Sequence, residues 1–405
     1  MNGSHGASSM RKIDLMNFQV ATSETARQIN RRIALNLLRR HQPMSRADLA
    51  RRSGLQRSTV SAIIDQLIGE GWVTEGAIGR APRGRRPRFL HLNVERAGII
   101  AVDLRPETTT VGLAGIDARF VRQTAWPTPG DSTAFVDELA RTVAAFRKAH
   151  PHMVCEGMGV SVPGRVDTAG CLVFGPNLGW TKVNLRREIE AVIDLPVVLE
   201  NAANACALAE LWFGGHPEHV HQLMTLTVSE GLGVGLLLNG QIIHGAGAMA
   251  GEFGHVTFDE NGPPCPCGKR GCWERYASNS AAEQFYAHST TDGPAVSGSI
   301  RFEELLRRAS NGEQRATEAL DKMAYFLGVG LAGLVTGLAP EVIVVIGEIV
   351  GAWDHVGPII ADVVQRRALP NISTQLIPSD PAMQPRLRGA VTLVVQQHFG
   401  APNLA

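Results

Sequence analysis

Apolar positions recur every three to four residues from Thr25, with Ile29, Ile33 and Leu37 on one face and Arg31, Arg32, Arg39 and Arg40 on others. That spacing predicts a helix ending near Pro43. Ser45 and Asp48 read as a capping box opening a short helix, Ala47 to Arg52, which Gly54 ends. A third helix opens over Leu55 to Ser61 and turns Val60, Ile63, Ile64, Leu67 and Ile68 inward. Trp72-Val-Thr and Arg88-Phe-Leu-His-Leu then read as two strands around the arginine-rich stretch Gly79 to Pro87. Two helices joined by a short Gly-containing turn, followed by a hairpin, make a winged helix-turn-helix.

From Ala97 the pattern becomes that of an α/β body. Strands are predicted at Gly98 to Asp103, Val111 to Gly115, Gly157 to Val162 and Pro196 to Glu200, with helices at Ala134 to His150, Leu185 to Ile193 and Ala205 to Phe213. The scheme then repeats: a strand Leu223 to Val228, a glycine turn through Gly231, Gly233 and Gly235, a long helical tract to Gly337, and a strand Val342 to Ile346. Leu331 to Leu338 is apolar enough for either core or a subunit surface. Asp103, Asn201 and Gly231 fall at the C-terminal ends of strands, where clefts of open α/β sheets form.

Charge divides the chain at the same place. Up to Asn93 there are sixteen Lys and Arg against six Asp and Glu, net +10; the remainder holds 23 against 32, net −9, so the near-neutral total of +1 conceals a basic head on an acidic body. Such a head suits a polyanion. Within it Arg46, Gln56, Arg57, Ser58, Thr59 and Ser61 lie where a recognition helix meets phosphates and base edges. Arg83, Arg85 and Arg86 sit on the wing, placed to follow the backbone or enter a minor groove. At 405 residues two or three domains are expected. No long apolar run or charged-then-apolar leader is evident, so a cytoplasmic, nucleoid-associated protein with no membrane partner is expected.

His255, Cys265, Cys267 and Cys272 place one imidazole and three thiols within eighteen residues, separated by Pro and Gly. Soft thiolates and imidazole suit Zn²⁺, and four protein ligands leave no position for a catalytic water, so a structural zinc is expected. Buried or paired cysteines are the alternative reading. Glu252 and Glu274 flank these residues, and a metal knot would hold both carboxylates still, an arrangement suited to accepting hydrogen bonds from sugar hydroxyls. Two solvated surface charges are the competing reading.

The order of these motifs resembles the ROK family, which groups sugar kinases with sugar-responsive repressors on a two-lobed, actin-like (hexokinase-type) α/β fold. Gly251-Glu252-Phe-Gly-His255, followed by Cys265-x-Cys267-x4-Cys272-x-Glu274, carries the likeness most specifically. The resemblance implies that His255 and the three cysteines ligate zinc. It also implies that Glu252, His255 and Glu274 face a sugar, with Gly164, Arg165, Asn177 and Asn201 at further sugar-side positions. The chain departs where the kinases do chemistry: Ala202 stands where their catalytic aspartate belongs, Asp103-Leu-Arg105-Pro106-Glu107-Thr108 replaces the first phosphate loop, and Leu232 replaces a threonine in the second.

These readings together predict a flexible segment 1–24, a winged helix-turn-helix at 25–93 and an effector-binding, oligomerising body at 94–405, with lobes near 94–200 plus the C-terminal end and 201–385. The function expected is a transcription regulator, most often a repressor in this family, acting on sugar-metabolism genes. It would bind operator DNA as a homodimer or homotetramer, respond to a sugar or sugar phosphate, and lack enzymatic activity. An active sugar kinase with a DNA-binding extension, or a regulator controlled by a protein partner, are the alternatives.

Overall fold

In the computed structural model the described residues are 23–78, 88–175, 178–180, 183–217, 220–291, 300–371 and 373–399. Most of the segment expected at 1–24, all three wing arginines (Arg83, Arg85, Arg86) and Asn177 lie outside them. The chain divides into two compact units, 1–93 with 396–405, and 94–395.

The first unit holds α1 (Ser23–His41), β1 (Met44–Ser45), α2 (Arg46–Ser53), α3 (Arg57–Gly69), β2 (Val73–Ile78) and β3 (Arg88–Leu92). The capping box forms as the sequence predicts: the Asp48 N–H donates to Ser45 Oγ, and the Ser45 N–H to the Asp48 carboxylate. Gly54 ends α2 at φ 72°, in the left-handed region that favours glycine. Leu35, Leu38, Leu49, Ile64, Leu67 and Leu90 form its core. The residues from Gln396 onward belong to this unit, whereas the sequence placed them with the body. The reason is local packing: Trp72 meets His398 at a tilt and Phe399 edge to face, and Asn36 and Arg32 donate to the Phe399 and Gln397 carbonyls.

The second unit contains two sheets of the same order. The first lobe holds β4 (Ala97–Leu104), β5 (Thr108–Gly115), β6 (Phe120–Pro127), α4 (Ser132–Ala149), β7 (Val154–Val162), a small sheet of β8 (Arg165–Val166), β9 (Cys171–Phe174) and β10 (Val183–Asn184), then α5 (Leu185–Glu190), β11 (Val197–Asn201) and α6 (Ala202–Phe213). The second holds β12 (Gln222–Val228), β13 (Leu232–Leu238), β14 (Gln241–Ile242), α7 (Glu274–Ala277), α8 (Asn279–His288), α9 (Phe302–Ser310), α10 (Gln314–Leu338), β15 (Val342–Gly347), α11 (Trp353–Arg367) and β16 (Gln375–Pro378); α12 (Pro385–Phe399) then packs back on the first sheet, with Leu387 against Gly112 of β5 and Ala390 and Val394 against Gly159 and Gly157 of β7. Strand orders are β11-β7-β4-β5-β6 and β14-β13-β12-β15-β16: in each a hairpin-linked triplet is extended by two parallel strands. This is the repeated scheme read from the sequence.

Three details differ from the sequence reading. Gly233 and Gly235 lie within β13, paired with Thr227 and Thr225 of β12, not in a turn; the glycine at 235 is required because a Cβ there would sit 2.3 Å from the Ala203 carbonyl. Helix α6 begins at Ala202, three residues early, because Asn201 caps it. Helix α10 is long and apolar enough by composition to cross a membrane, but Leu331, Leu334 and Val335 are buried in the core of the second lobe.

Candidate functional site

The cysteine loop is built from turns. Gly251, at φ 92°, lets the Val234 carbonyl approach to 2.3 Å from where a Cβ would be, and this starts the short turn Glu252–His255. Isolated bridges Thr257↔Cys272 and Pro264↔Arg270 close the loop, and the Cys265 N–H donates to the Lys269 carbonyl at 2.8 Å. Trp273, 1 % exposed, anchors it through its indole N–H to the Phe326 carbonyl at 2.8 Å. One ligand atom from each of His255, Cys265, Cys267 and Cys272 then lies within 4.8 Å of the others, so the four could hold a metal ion. Burial pushes the Cys265 and Cys272 thiols up, Cys265 further through Glu274. Burial opposes ionisation of Cys267 too, but hydrogen bonds from the Lys269 N–H and the other two thiols hold it below the usual value. Clustered thiols with so little positive charge beside them are a donor set that a soft divalent cation would satisfy.

Beside this loop the second unit opens into a cleft lined by Gly164, Arg165, Asn201, Glu252, His255 and Glu274. These are the expected sugar-side residues apart from Asn177. His255 Nδ1 is 3.5 Å from Glu274 and its Nε2 3.7 Å from Glu252, while the Cys265 thiol donates to Glu274 Oε1 at 3.0 Å. The other Glu274 oxygen lies 2.9 Å from the point a Cβ on Gly231 would occupy, so glycine there keeps the carboxylate's place in the cleft. Burial raises the Glu252 carboxyl above its ordinary value, with His255 and Arg165 opposing. Asn201 is largely committed: its Oδ1 caps α6 through the Ala203 and Asn204 N–H groups, and its Nδ2 donates to the Gly164 carbonyl at 2.8 Å. One amide N–H remains for a ligand. Arg165 contacts the Met249 sulfur, and its Nε is buried with no partner among the described residues.

The positions matching the kinase phosphate side are occupied differently. Ala202, 5 % exposed, lines the cleft with a methyl group. Arg105 bridges Asp103 (3.0 Å) and Glu348 (3.4 Å), Asn279 donates to the other Glu348 oxygen, and Pro106 reaches the cleft wall. Burial disfavours the Arg105 charge, but Asp103 and Glu348 outweigh it and raise its pKa. Sequence reasoning missed Glu200, Glu230 and Arg386 in the cleft lining. Arg386, in the first turn of α12, donates to Ser229 Oγ at 3.3 Å from more than 150 residues away, and no local motif marks it.

In the head, Gln56, Arg57 and Ser58 are exposed at the start of α3, and Thr59 and Ser61 are half-buried. Arg46 is instead a cross-link: its guanidinium pairs with Asp65 at 2.8 Å and Glu75 at 3.1 Å and donates to the Ser61 carbonyl.

The ROK family profile matches residues 99–397, and the MarR family profile matches 33–75. A xylose repressor of Bacillus spizizenii is 28 % identical over 387 residues, covering 94 % of this chain and 98 % of its own length. The crystal structure of a ROK family transcriptional regulator, a homologue of the E. coli MLC protein, superposes with a TM-score of 0.81 at 26 % identity, covering 93 % of this chain and 98 % of that one. A ROK family glucokinase from Streptomyces griseus, solved with glucose and AMPPNP, matches with a TM-score of 0.65 at 26 % identity, covering 73 % of this chain and 98 % of the kinase. With the profile spanning most of its length and a DNA-binding head in front, the chain belongs to the ROK family, on its repressor branch.

Proposed function

We propose that this DNA-binding transcription regulator senses a sugar, or a sugar phosphate, in the cleft of its body, and that occupancy sets operator affinity. The observation that carries the reading is the convergence of Gly164, Arg165, Asn201, Glu252, His255 and Glu274 on one cleft whose wall has Ala202 in place of a general base. Glu252 and Glu274 accept hydrogen bonds from hydroxyls, His255 donates or accepts through the nitrogen the metal leaves, and Asn201 offers its last N–H. With Glu200 paired to His244, the three carboxylates Glu230, Glu252 and Glu274 against Arg165 and Arg386 favour an uncharged sugar over a phosphorylated one.

Zn²⁺ held by His255, Cys265, Cys267 and Cys272 would be structural, fixing His255 and, through Cys265, Glu274. Phosphoryl transfer is absent in this proposal. A positioned general base contributes roughly 10²–10⁴ in rate and a methyl group cannot accept a proton. Arg105 also commits Asp103 and Glu348, on the wall of the neighbouring cavity, to an internal ion-pair network. The protein acts in the cytoplasm as a homodimer or homotetramer on a near-palindromic operator, with Gln56, Arg57, Ser58, Thr59 and Ser61 at the duplex and the wing arginines on its backbone. The sugar shifts DNA affinity only as far as it prefers one arrangement of the body over another.

The test is fluorescence anisotropy of the full chain on operator duplex, with and without a panel of aldoses and their phosphates, beside a coupled ATP assay. A sugar-dependent change in DNA affinity with no nucleotide turnover is the expected result. Turnover with a hexose would revive the kinase reading, and indifference to every sugar would favour a protein signal. Arg57→Ala should weaken binding and make the slope of log affinity against log salt shallower by about one unit.

A further inference from the structure

The cleft has a cross-lobe clasp outside the residues expected to touch a sugar. Residues 243–251 form a strap between β14 and Glu252, folded on itself by the Ala250 N–H donating to the His244 carbonyl at 2.9 Å, with Gly245, Gly247, Ala248 and Gly251 all at positive φ. Because that bond ties the two ends of the strap together, a pull at His244 is transmitted to Glu252. His244 Nε2 lies 2.7 Å from Glu200 Oε2, across from the second lobe to the end of β11 in the first. The other Glu200 oxygen accepts the Asn201 N–H at 2.8 Å and Asn204 Nδ2 at 3.0 Å. One carboxylate therefore grips the strap that leads to Glu252 and the strand end that carries Asn201.

We propose that Glu200 and His244 are positioning residues of the effector site, holding Glu252 of one lobe in register with Asn201 of the other. Neither donates a group to the ligand: both Glu200 oxygens have protein partners, and His244 stands outside the cleft lining. The inference rests on the cleft being the effector site. Glu200 is the charged group facing His244, and 241–251 carries no other ionisable side chain. The hydrogen bond to Glu200 raises the His244 pKa against partial burial. The clasp is therefore an ion pair below that raised value, and as pH rises through it the charge is lost and a weaker neutral hydrogen bond remains. Sugar affinity should then be higher near pH 6 than near pH 8.

The experiment is calorimetry of the zinc-loaded full chain with D-xylose and D-glucose across that range. His244→Ala should weaken binding roughly three- to tenfold. His244→Gln, which keeps a hydrogen bond but no charge, should retain most of the affinity at neutral pH with a flat pH profile. DNA binding without sugar and zinc content should stay at wild-type values in both. A His244→Ala protein with wild-type affinity and pH profile overturns the proposal. If the wild type binds neither of these nor any sugar of the wider panel, the effector reading is what fails, and hydrogen exchange of peptides covering 243–251 then decides. Faster exchange in His244→Ala than in wild type supports the clasp, and equal exchange refutes it.

Discussion

Glu274 and Asp103 are both largely buried carboxylates of one body, and their surroundings treat them in opposite ways. Glu274 gives one oxygen to the cysteine loop and keeps the other beside Gly231, in the open cleft. Asp103 gives one oxygen to Arg105, whose guanidinium also reaches Glu348, and its second oxygen is buried without a partner among the described residues. A carboxylate held by a rigid frame with its second oxygen facing the cleft stays available to a ligand, as the proposed function requires of Glu274. One neutralised by its own chain does not, whatever the fold around it once handled.

The contrast can be broken in graded steps. Cys267→Ser should have the largest effect: the frame loses its metal, the melting temperature falls by on the order of 10 °C, and the sugar response is lost. Metal analysis beside calorimetry reads this, and a metal-free protein with a normal response would remove the link between frame and cleft. Glu274→Gln should keep the metal but weaken sugar binding by roughly 10- to 100-fold, the scale of a lost charge-assisted hydrogen bond. Arg105→Ala should do the reverse, lowering stability to urea by about 1–2 kcal/mol through the uncompensated Asp103 while leaving sugar affinity within about twofold. Ala202→Asp should have the least effect, no measurable ATP turnover, because Arg105 and Pro106 still stand where a flexible phosphate-binding backbone would be needed. Turnover in that variant would mean one side chain had silenced the kinase.

Much of this was legible beforehand because its signals are local. The Ser45–Asp48 box, the Gly54 stop, the strands around Val102 and Val344, and the spacing of His255, Cys265, Cys267 and Cys272 each depend on neighbours a few residues apart. What was missed depends on distant partners. Gly233 and Gly235 read as a turn because nothing nearby announces that α6 passes against them. Glu200 read as the end of a strand because its partner His244 arrives from another sheet, and Arg386 enters the cleft from the last helix. The Asn201 cap did carry a local signal, an Asn ahead of an alanine-rich run, which the reading passed over in starting α6 at Ala205.

The packing of Trp72 against His398 and Phe399 makes the DNA-reading module discontinuous in sequence. A fragment ending at Asn93 would expose an indole and lose the partners of Asn36 and Arg32, so excising the module means splicing the tail back on through a short linker. By the same token, a substitution at His398 or Phe399 is felt in the operator-binding part of the molecule, far in sequence from the residues that meet the duplex.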